Sequence, residues 1–227
     1  MPGVRDELVR ISTGGAVVEG QLTVPPDCGG LVVFVHGSGS SRHSPRNRYV
    51  ATVINSAGMA TLLFDLLTAH EERDRANVFD IELLSDRLLD VIEWVQEEAG
   101  FEDLPYGYFG ASTGAAAALW AAAAPGSDVS AVVSRGGRPD LAAQRLACVQ
   151  AATLLVVGSE DHAVLDLNRR AQAMIHCEVD LRIVEGATHL FEEPGTLQTA
   201  AVLARDWFKD HFEQAVASGR SPRRSAG

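Results

Sequence analysis

Short apolar runs alternate with longer amphipathic stretches along most of the chain. Runs of about five apolar residues, bounded by Gly, Pro, Asp or Ser, are typical of strands buried on both faces of a sheet. Stretches with apolar residues three or four positions apart are typical of helices that pack on one side. The predicted strands are 31–35, 59–64, 106–109, 129–133, 153–157 and 180–184, and the predicted helices are 46–57, 79–99, 115–124, 165–176 and 197–212.

The first part of the chain has a different pattern. Residues 8–12 and 16–24 flank the sequence Thr-Gly-Gly and predict an antiparallel hairpin. Strands that then alternate with helices predict an α/β fold, a doubly wound and mostly parallel sheet with helices on both faces. The gap at 134–152 is too short for a large lid domain. We therefore expect a single domain over residues 1–216, followed by a disordered basic tail over residues 217–227.

Composition limits the kinds of partner. The chain has 227 residues, of which 46% are hydrophobic and 22% charged, and this suits one globular domain with a sizeable core. Its net charge of −11 opposes binding to nucleic acid or anionic membranes, so a small-molecule substrate is the expected partner. No apolar run approaches the length of a membrane span, and the first residues lack a signal-peptide core, which predicts a cytoplasmic protein. The oligomeric state stays open, with a homodimer among the states considered.

Sequence motifs for metals and organic cofactors do not occur. The three cysteines are odd in number and widely separated, unlike a disulfide or zinc framework. There is no H-E-x-x-H, no paired C-x-x-C and no G-x-x-x-x-G-K-[ST]. We therefore expect neither a metal nor a cofactor.

The sequence Gly110-Ala-Ser112-Thr-Gly114 lies between a predicted strand and an Ala-rich predicted helix. A G-x-S-x-G turn in this setting is a nucleophile elbow, which holds the serine in a strained conformation and presents its hydroxyl above the sheet. Glycine is needed on both sides because a side chain there would crowd the neighbouring strand or helix. Such a short motif often occurs by chance, so the interpretation depends on the strand and the helix around it.

Three more polar positions follow strands of the predicted sheet, where the sites of open parallel sheets gather. They are the loop that begins His36-Gly-Ser38-Gly, the carboxylate Asp161 and the imidazole His189. A serine hydroxyl becomes a good nucleophile when a histidine accepts its proton and a carboxylate orients that histidine. The order Ser112, Asp161, His189 along the chain is the order that this architecture uses.

Neighbouring residues compete for two of these roles. Glu160 and Asp166 are alternatives for the carboxylate, although an N-cap at the start of a helix explains Asp166 well. His162 is the alternative for the imidazole, but it directly follows the acid and is expected in a solvated loop. His36 is expected to hold its loop in place through hydrogen bonds and not to take part in the chemistry.

These motifs resemble the α/β-hydrolase fold and, within it, the dienelactone hydrolase-like group, over nearly the whole chain. The resemblance implies Ser112 as nucleophile, Asp161 as acid and His189 as base. It also implies that backbone N–H groups of Thr113 and Ser38 form the oxyanion hole. Dienelactone hydrolases proper have cysteine at the position of Ser112, so the resemblance implies acyl transfer without implying lactone specificity.

Four arginines are expected near the same edge of the sheet. Arg42 and Arg46 lie in the loop beside the expected oxyanion donors, and Arg135 and Arg138 follow a predicted strand. Guanidinium groups bind carboxylates and phosphates through paired hydrogen bonds. The hypothesis is that Arg42 or Arg135 binds an anionic group of the substrate. The alternative is that all four pair with the many carboxylates of an acidic protein.

Three functions are compatible with these residues. The first is a serine hydrolase, similar to an esterase or a dienelactone hydrolase, that cleaves an ester, thioester or lactone through an acyl-enzyme on Ser112. The second is an acyltransferase that uses the same residues and passes the acyl group to an alcohol or amine. The third is a binding protein without turnover, which a broken contact between Asp161 and His189 would favour. The sequence favours the hydrolase and does not identify its substrate.

Overall fold

The computed structural model describes residues 3–97 and 99–219, which build one eight-stranded sheet covered by helices. The strands are β1 Arg5–Thr13, β2 Ala16–Val24, β3 Leu31–Val35, β4 Ala60–Phe64, β5 Tyr106–Ala111, β6 Ala131–Arg135, β7 Ala152–Gly158 and β8 Val179–Val184. The helices are α1 Pro45–Asn55, α2 Arg75–Phe79, α3 Ile81–Glu97, α4 Thr113–Ala122, α5 His162–Met174 and α6 Thr196–Ala217. Across the sheet the order is β1-β2-β4-β3-β5-β6-β7-β8.

Only the start of the chain departs from parallel pairing. β1 and β2 form the predicted antiparallel hairpin, and β2 pairs antiparallel with β4. From β4 to β8 all neighbouring strands are parallel, so their carboxyl ends meet along one edge. Helices α3, α4 and α5 cover one face and α1 and α6 the other, each over its own layer of buried apolar side chains. The predicted fold class is confirmed.

The strand β6 is shifted from its predicted position, and the shift affects the candidate site. The apolar run predicted a strand at 129–133, but the strand is Ala131–Arg135. Ser134 and Arg135 continue the parallel ladders with β5 and β7, and both residues are buried. Backbone pairing on both sides thus extends the strand through polar residues that the hydropathy pattern assigns to a loop.

The connection after β4 contains more structure than its charged sequence predicts. A 3-10 turn at Glu71–Arg73 leads into α2. Glu71 accepts hydrogen bonds from the Thr68 amide at 2.7 Å and from the guanidinium of Arg87 in α3 at 2.8 and 3.3 Å. The buried Arg87 lowers the pKa of Glu71 to about 2. This ion pair fastens the connection to α3.

The connection between β6 and β7 is short. It holds two 3-10 turns, Pro139–Ala142 and Leu146–Cys148, and the described part of the chain has no large lid domain. Helix α6 ends at Ala217, and 220–227 of the predicted tail lie outside the described residues. None of the described helices is long and apolar enough to cross a membrane. All three cysteines are unpaired.

Candidate active site

Ser112 has the strained backbone that its motif predicts. Its φ of 52° and ψ of −121° lie outside the regions that L-amino acids ordinarily occupy. A Cβ on Gly110 would lie 2.4 Å from the Cα of Ala115, and a Cβ on Gly114 would lie 2.2 Å from the carbonyl oxygen of Val35. Both distances are too short for non-bonded atoms, so only glycine permits this close packing of β3, β5 and α4.

The Ser112 hydroxyl stands at the start of α4 without capping that helix. The Ser112 backbone N–H donates to the carbonyl of Arg135 at 3.3 Å, which ties the turn to the end of β6. Among residues 3–97 and 99–219, the hydroxyl has no hydrogen-bonding partner, His189 included. Hydrogen bonds of catalytic groups are often long in unliganded enzymes and shorten when substrate binds. The serine is therefore positioned by its backbone.

Asp161 and His189 are in direct contact. Nδ1 of His189 lies 2.6 Å from Oδ2 of Asp161, and this carboxylate is 14% exposed. The turns that carry the two residues are joined by the Glu160 amide, which donates to the carbonyl of Ala187 at 3.0 Å. Gly158 permits this approach, since a Cβ there would lie 2.1 Å from the same carbonyl oxygen. The ends of β7 and β8 thus hold the carboxylate and the imidazole together.

The alternative residues lie in other surroundings. Glu160 accepts a hydrogen bond from a neighbouring serine at the surface, and His162 is exposed. Asp166 lies inside α5 and pairs with an arginine one turn away, so its suggested role as an N-cap is wrong. The helix begins after Asp161, whose carboxylate makes no capping bond and contacts the imidazole.

The imidazole of His189 also packs against the end of β6. A Cβ on Gly136 would lie 3.5 Å from Nδ1 and 3.6 Å from Cε1 of that ring, so any larger side chain would press on it. Gly136 has a φ of 53° and donates its N–H to Val156 at 2.8 Å. The Ser112 N–H donates to the carbonyl of Arg135, the residue before Gly136. Ser112 and the imidazole of His189 therefore both lie beside the carboxyl end of β6.

The two backbone groups predicted to bind an oxyanion are neighbours. Thr113 is the first residue of α4, so its N–H has no acceptor within the helix. The Ser38 N–H donates to Oγ1 of Thr113 at 2.8 Å. Ser38 therefore lies beside Thr113, but its N–H is hydrogen-bonded to the Thr113 side chain.

His36 joins two loops at the carboxyl edge, as expected. Its Nδ1 donates to the carbonyl of Gly37 at 3.0 Å, and its Nε2 accepts from the amide of Leu66 at 3.0 Å. The second bond requires an unprotonated Nε2 and so places the proton on Nδ1. Burial lowers the pKa of His36, which keeps the ring neutral and the bond from Leu66 intact at neutral pH.

Three of the four arginines pair with carboxylates. The pairs are Arg42 with Asp65 and Glu19, Arg46 with Glu192, and Arg138 with Asp140. Arg42 is mostly buried between its two partners, and its backbone N–H also donates to Asp65 at 2.8 Å. These pairs agree with the alternative stated for the sequence, in which the arginines pair with carboxylates of the protein. They do not support Arg42 as a substrate-binding residue.

Arg135 is buried without a carboxylate in the described part of the chain. It is 7% exposed, whereas the sequence predicted it at the rim of the cleft. Nη2 donates to Oδ1 of Asn47 at 3.3 Å, and Nη1 is buried without a partner. The guanidinium carbon lies 5.6 and 6.0 Å from the ring centres of Phe109 and Phe191. Burial, and then the charge of Arg46, lower the pKa of Arg135 to about 10, so it remains a cation at neutral pH.

Sequence reasoning missed several residues that shape this site. Gly136 and Gly158 make room for the imidazole and its loop. Both lie at the end of a strand and close to a candidate residue, and this position could have identified them from the sequence. Asn47 and Phe191 contact Arg135 from an early helix and from the loop after β8. No local pattern marks those two contacts, because they join segments that are far apart in the sequence.

Cavity size does not locate the site. A concavity of about 990 Å³ lies at the opposite edge of the sheet, where β6, β7 and β8 begin. A cavity of about 20 Å³ adjoins Ser38 and Thr113, and its apolar wall includes Leu66, Leu67 and Val78. No group of three or more potential metal ligands occurs among the residues that the structure describes. The candidate site is therefore placed at the carboxyl edge by the contact between Asp161 and His189 and by the Ser112 turn, and not by cavity size.

Comparisons with known structures agree with the observed architecture. A dienelactone hydrolase from Anabaena variabilis superposes with a TM-score of 0.89 at 48% identity, covering 92% of this chain and 99% of that chain. Est1E from Butyrivibrio proteoclasticus superposes with a TM-score of 0.77 at 14% identity, covering 91% of this chain and 99% of that chain. The second similarity supports the fold alone. No protein-family model matches the chain.

Sequence relatives are longer than this chain. Two proteins from strains of Mycobacterium tuberculosis are 63% identical to it over 211 residues, which is 93% of its length. Both carry the provisional name phosphoribosyl transferase, and the chain spans 48% of their length, about half. The family is shown by the Anabaena variabilis protein, which matches over nearly the whole of both chains. This chain belongs to the dienelactone hydrolase family of the α/β-hydrolase fold.

Proposed function

We propose that the protein is a serine hydrolase that cleaves an ester-type bond of a small substrate through an acyl-enzyme on Ser112. The observation that carries the proposal is the 2.6 Å contact between Asp161 and His189, at the sheet edge where the strained Ser112 turn lies. Membership of the dienelactone hydrolase family supports hydrolysis in general. A binding protein without turnover does not require a carboxylate hydrogen-bonded to an imidazole, so the contact between Asp161 and His189 argues against that alternative.

In the proposed reaction, the proton on Nδ1 of His189 is held by Asp161, which leaves Nε2 able to accept a second proton. The Ser112 hydroxyl gives its proton to Nε2 as Oγ bonds to the substrate carbonyl carbon. The bond from that carbon to the leaving oxygen then breaks, and Nε2 protonates the leaving alcohol. Water attacks the acyl-enzyme with the same imidazole as base, and Oγ takes back its proton. The net reaction consumes one water and releases an acid and an alcohol.

Backbone N–H groups of Thr113 and Ser38 are proposed to hold the tetrahedral oxyanion. The first supports this role because it belongs to the positive end of α4. The Ser38 N–H would exchange its bond to Oγ1 of Thr113 for a bond to the oxyanion. A charged acceptor binds more strongly than a neutral hydroxyl, so this exchange favours the transition state. One such donor lowers the barrier by about 3 kcal/mol.

The cavity beside Ser38 supports a substrate with a short acyl chain. Its volume of about 20 Å³ is close to what a single water molecule needs, and Leu66, Leu67 and Val78 are among its lining residues, so it suits a short apolar group better than a long one. The Anabaena variabilis relative is named as a dienelactone hydrolase, a class that opens an ester inside a ring. We extend the reaction type to this chain and propose short-chain esters and lactones as its substrate class.

Intact mass after treatment with a fluorophosphonate tests the proposed nucleophile. We expect one adduct on the wild-type protein and none on Ser112→Ala, because the probe reacts with an activated serine. The kcat of Ser112→Ala for short-chain esters should fall by about 10⁴ or more, while its circular dichroism stays that of the wild type. Ser56→Ala, at the exposed end of α1, is the matched control and should keep the adduct.

Two results would contradict the proposed reaction. An unlabelled wild-type protein, or an active Ser112→Ala protein, would remove Ser112 as the nucleophile. A rate that depends on an added alcohol or amine at a fixed acyl donor would identify an acyltransferase instead.

A further inference from the structure

Arg135 carries a positive charge into the interior without an anion to balance it. Its side chain is 7% exposed, and no described residue is a hydrogen-bonding partner of Nη1. No carboxylate of residues 3–97 or 99–219 forms an ion pair with it. Burying an unpaired charge is costly, and an apolar side chain of similar length would fill the same space without that cost. A guanidinium in this environment points to a function that uses its charge.

The guanidinium faces the first turn of α1. Its Nη2 donates to Asn47, which is the third residue of that helix and is itself buried. Arg46, the second residue, is close enough to lower the pKa of Arg135. Ser44 caps the first turn by accepting from the Asn47 N–H at 3.3 Å, and Pro45 has no N–H, so α1 contributes only the positive end of its dipole. The contact with Asn47 therefore places the Arg135 guanidinium at the turn of α1 that also carries Arg46.

This cationic cluster, formed by Arg135, Arg46 and the start of α1, borders the proposed catalytic residues. The carbonyl of Arg135 accepts the Ser112 N–H at 3.3 Å. Phe191, whose ring contacts the guanidinium, follows His189 by two residues and has a φ of 55°. The tight turn that carries the imidazole thus forms one wall of the cluster.

We propose that the cationic cluster binds a phosphate group of the substrate, beside the ester that Ser112 attacks. The proposal rests on the function proposed above and specifies its substrate class. A phosphate dianion balances the charges of two guanidinium groups, which a single carboxylate does not. Glu192, the carboxylate that pairs with Arg46, is 63% exposed and lies 3.2 Å from it. Phosphate would replace Glu192 on Arg46 and, after the turn that carries Phe191 moves aside, would reach the buried Nη1 of Arg135 and become its missing partner.

Binding of inorganic phosphate to Ser112→Ala protein tests the cluster without relying on hydrolysis. At constant ionic strength, with chloride as the reference anion, we expect phosphate to bind to Ser112→Ala. Adding Arg135→Met should weaken its affinity at least about tenfold, the loss typical of a charge-assisted hydrogen bond. Adding Arg135→Lys should restore part of it. Arg182→Met is the matched control, because this exposed arginine pairs with Asp180 on β8, and it should bind phosphate as the parent does.

The same variants separate a binding role from a structural one. Because Met removes an unpaired buried charge, we expect Arg135→Met to keep or raise the melting temperature. A lower melting temperature together with unchanged phosphate affinity would assign Arg135 to structure and overturn the proposal. Tighter binding of glutarate than of phosphate, at equal ionic strength, would overturn the choice of phosphate in favour of a carboxylate.

Hydrolysis connects the cluster to the substrate. We expect the ratio of kcat/KM for an ester that carries a phosphate group over its neutral counterpart to fall at least about tenfold in Arg135→Met. A ratio is used because it cancels effects common to both esters. An unchanged ratio would overturn the cluster as a substrate subsite. Failure of the fluorophosphonate to label Ser112 would instead overturn the hydrolase, and the phosphate affinity of Ser112→Ala would still decide whether the cluster binds phosphate.

Discussion

Asp161 occupies the position before the first turn of α5, where a carboxylate ordinarily accepts a hydrogen bond from the helix backbone. Its side chain makes no such bond and contacts His189 instead. At Ser112, likewise, the backbone holds a strained conformation that its glycine neighbours make possible. At the scale of single residues, neither Asp161 nor Ser112 adopts the conformation or hydrogen bond that its local sequence favours. Such departures are typical of functional sites.

Asp161→Asn tests the assignment of the acid. The amide keeps the shape of the carboxylate but donates to Nδ1, which moves the imidazole proton to Nε2 and blocks that atom as a base. We expect kcat for ester hydrolysis to fall by about 10⁴. Thermal unfolding should show a stability close to that of the wild type, because the amide keeps a hydrogen bond to Nδ1 of His189.

Glu160→Gln is the matched control for this substitution, since Glu160 is the adjacent carboxylate and lies at the surface. It should retain the wild-type rate. A loss of rate in Glu160→Gln with full activity in Asp161→Asn would reverse the assignment.

At the scale of elements, the connection after β4 depends on one ion pair. Glu71 bonds both to the Thr68 amide in its own turn and to the buried Arg87 in α3. Removing one partner of such a pair leaves the other charge buried and uncompensated. The connection also supplies Leu66 and Leu67 to the small cavity beside the oxyanion residues, so the ion pair stabilises a wall of the proposed acyl site.

The stability that this ion pair provides should depend on pH. Arg87 lowers the pKa of Glu71 from its ordinary value of 4.5 to about 2, so the unfolded chain binds the proton more readily than the folded one. The stabilisation is therefore present above pH 4.5 and is lost as the pH falls towards 2. We expect Glu71→Gln to lower the free energy of unfolding at pH 7 by about 2–3 kcal/mol, and the difference from wild type to shrink between about pH 5 and 3.

Urea unfolding at a series of pH values measures this difference. Glu93→Gln, at an exposed position inside the same helix α3, is the control and should follow the wild type at every pH. A difference for Glu71→Gln that stays constant from pH 7 to the lowest pH measured would contradict the ion-pair explanation.

At the scale of the whole molecule, a strongly acidic protein surrounds a local cationic cluster. The net charge of −11 repels an anionic ligand at long range, whereas Arg135 and Arg46 attract it at short range. Salt screens charges separated by more than the Debye length and affects buried contacts much less. The two effects therefore respond differently to ionic strength.

Ionic strength should change the rates of charged and neutral substrates differently. We expect kcat/KM for the phosphate-bearing ester to rise when NaCl is increased from about 10 to about 150 mM, because the Debye length falls from about 30 to about 8 Å and the repulsion is screened. The rate for the neutral counterpart should change little. A steady fall in kcat/KM of the charged ester over this range would show that attraction by the cluster dominates at long range as well.

Most of the fold could be predicted because its signals are local. Periods of apolar residues along the chain mark strands and helices, and glycines mark the turns between them. The limits of this approach appear at β6, where pairing with β5 and β7 extends the strand through Ser134 and Arg135. Hydropathy cannot report that pairing, because the partner strands lie elsewhere in the sequence.

The sequence by itself determined the class of fold, the family and the candidate residues Ser112, Asp161 and His189, since each depends on a residue type at the end of a recognisable element. Tertiary structure decided which polar groups meet. Arg42 and Arg135 were equal candidates in the sequence, yet Arg42 lies between carboxylates and Arg135 is buried without one. The interaction of a charge depends on distance and burial, and both are set by segments that only folding brings together.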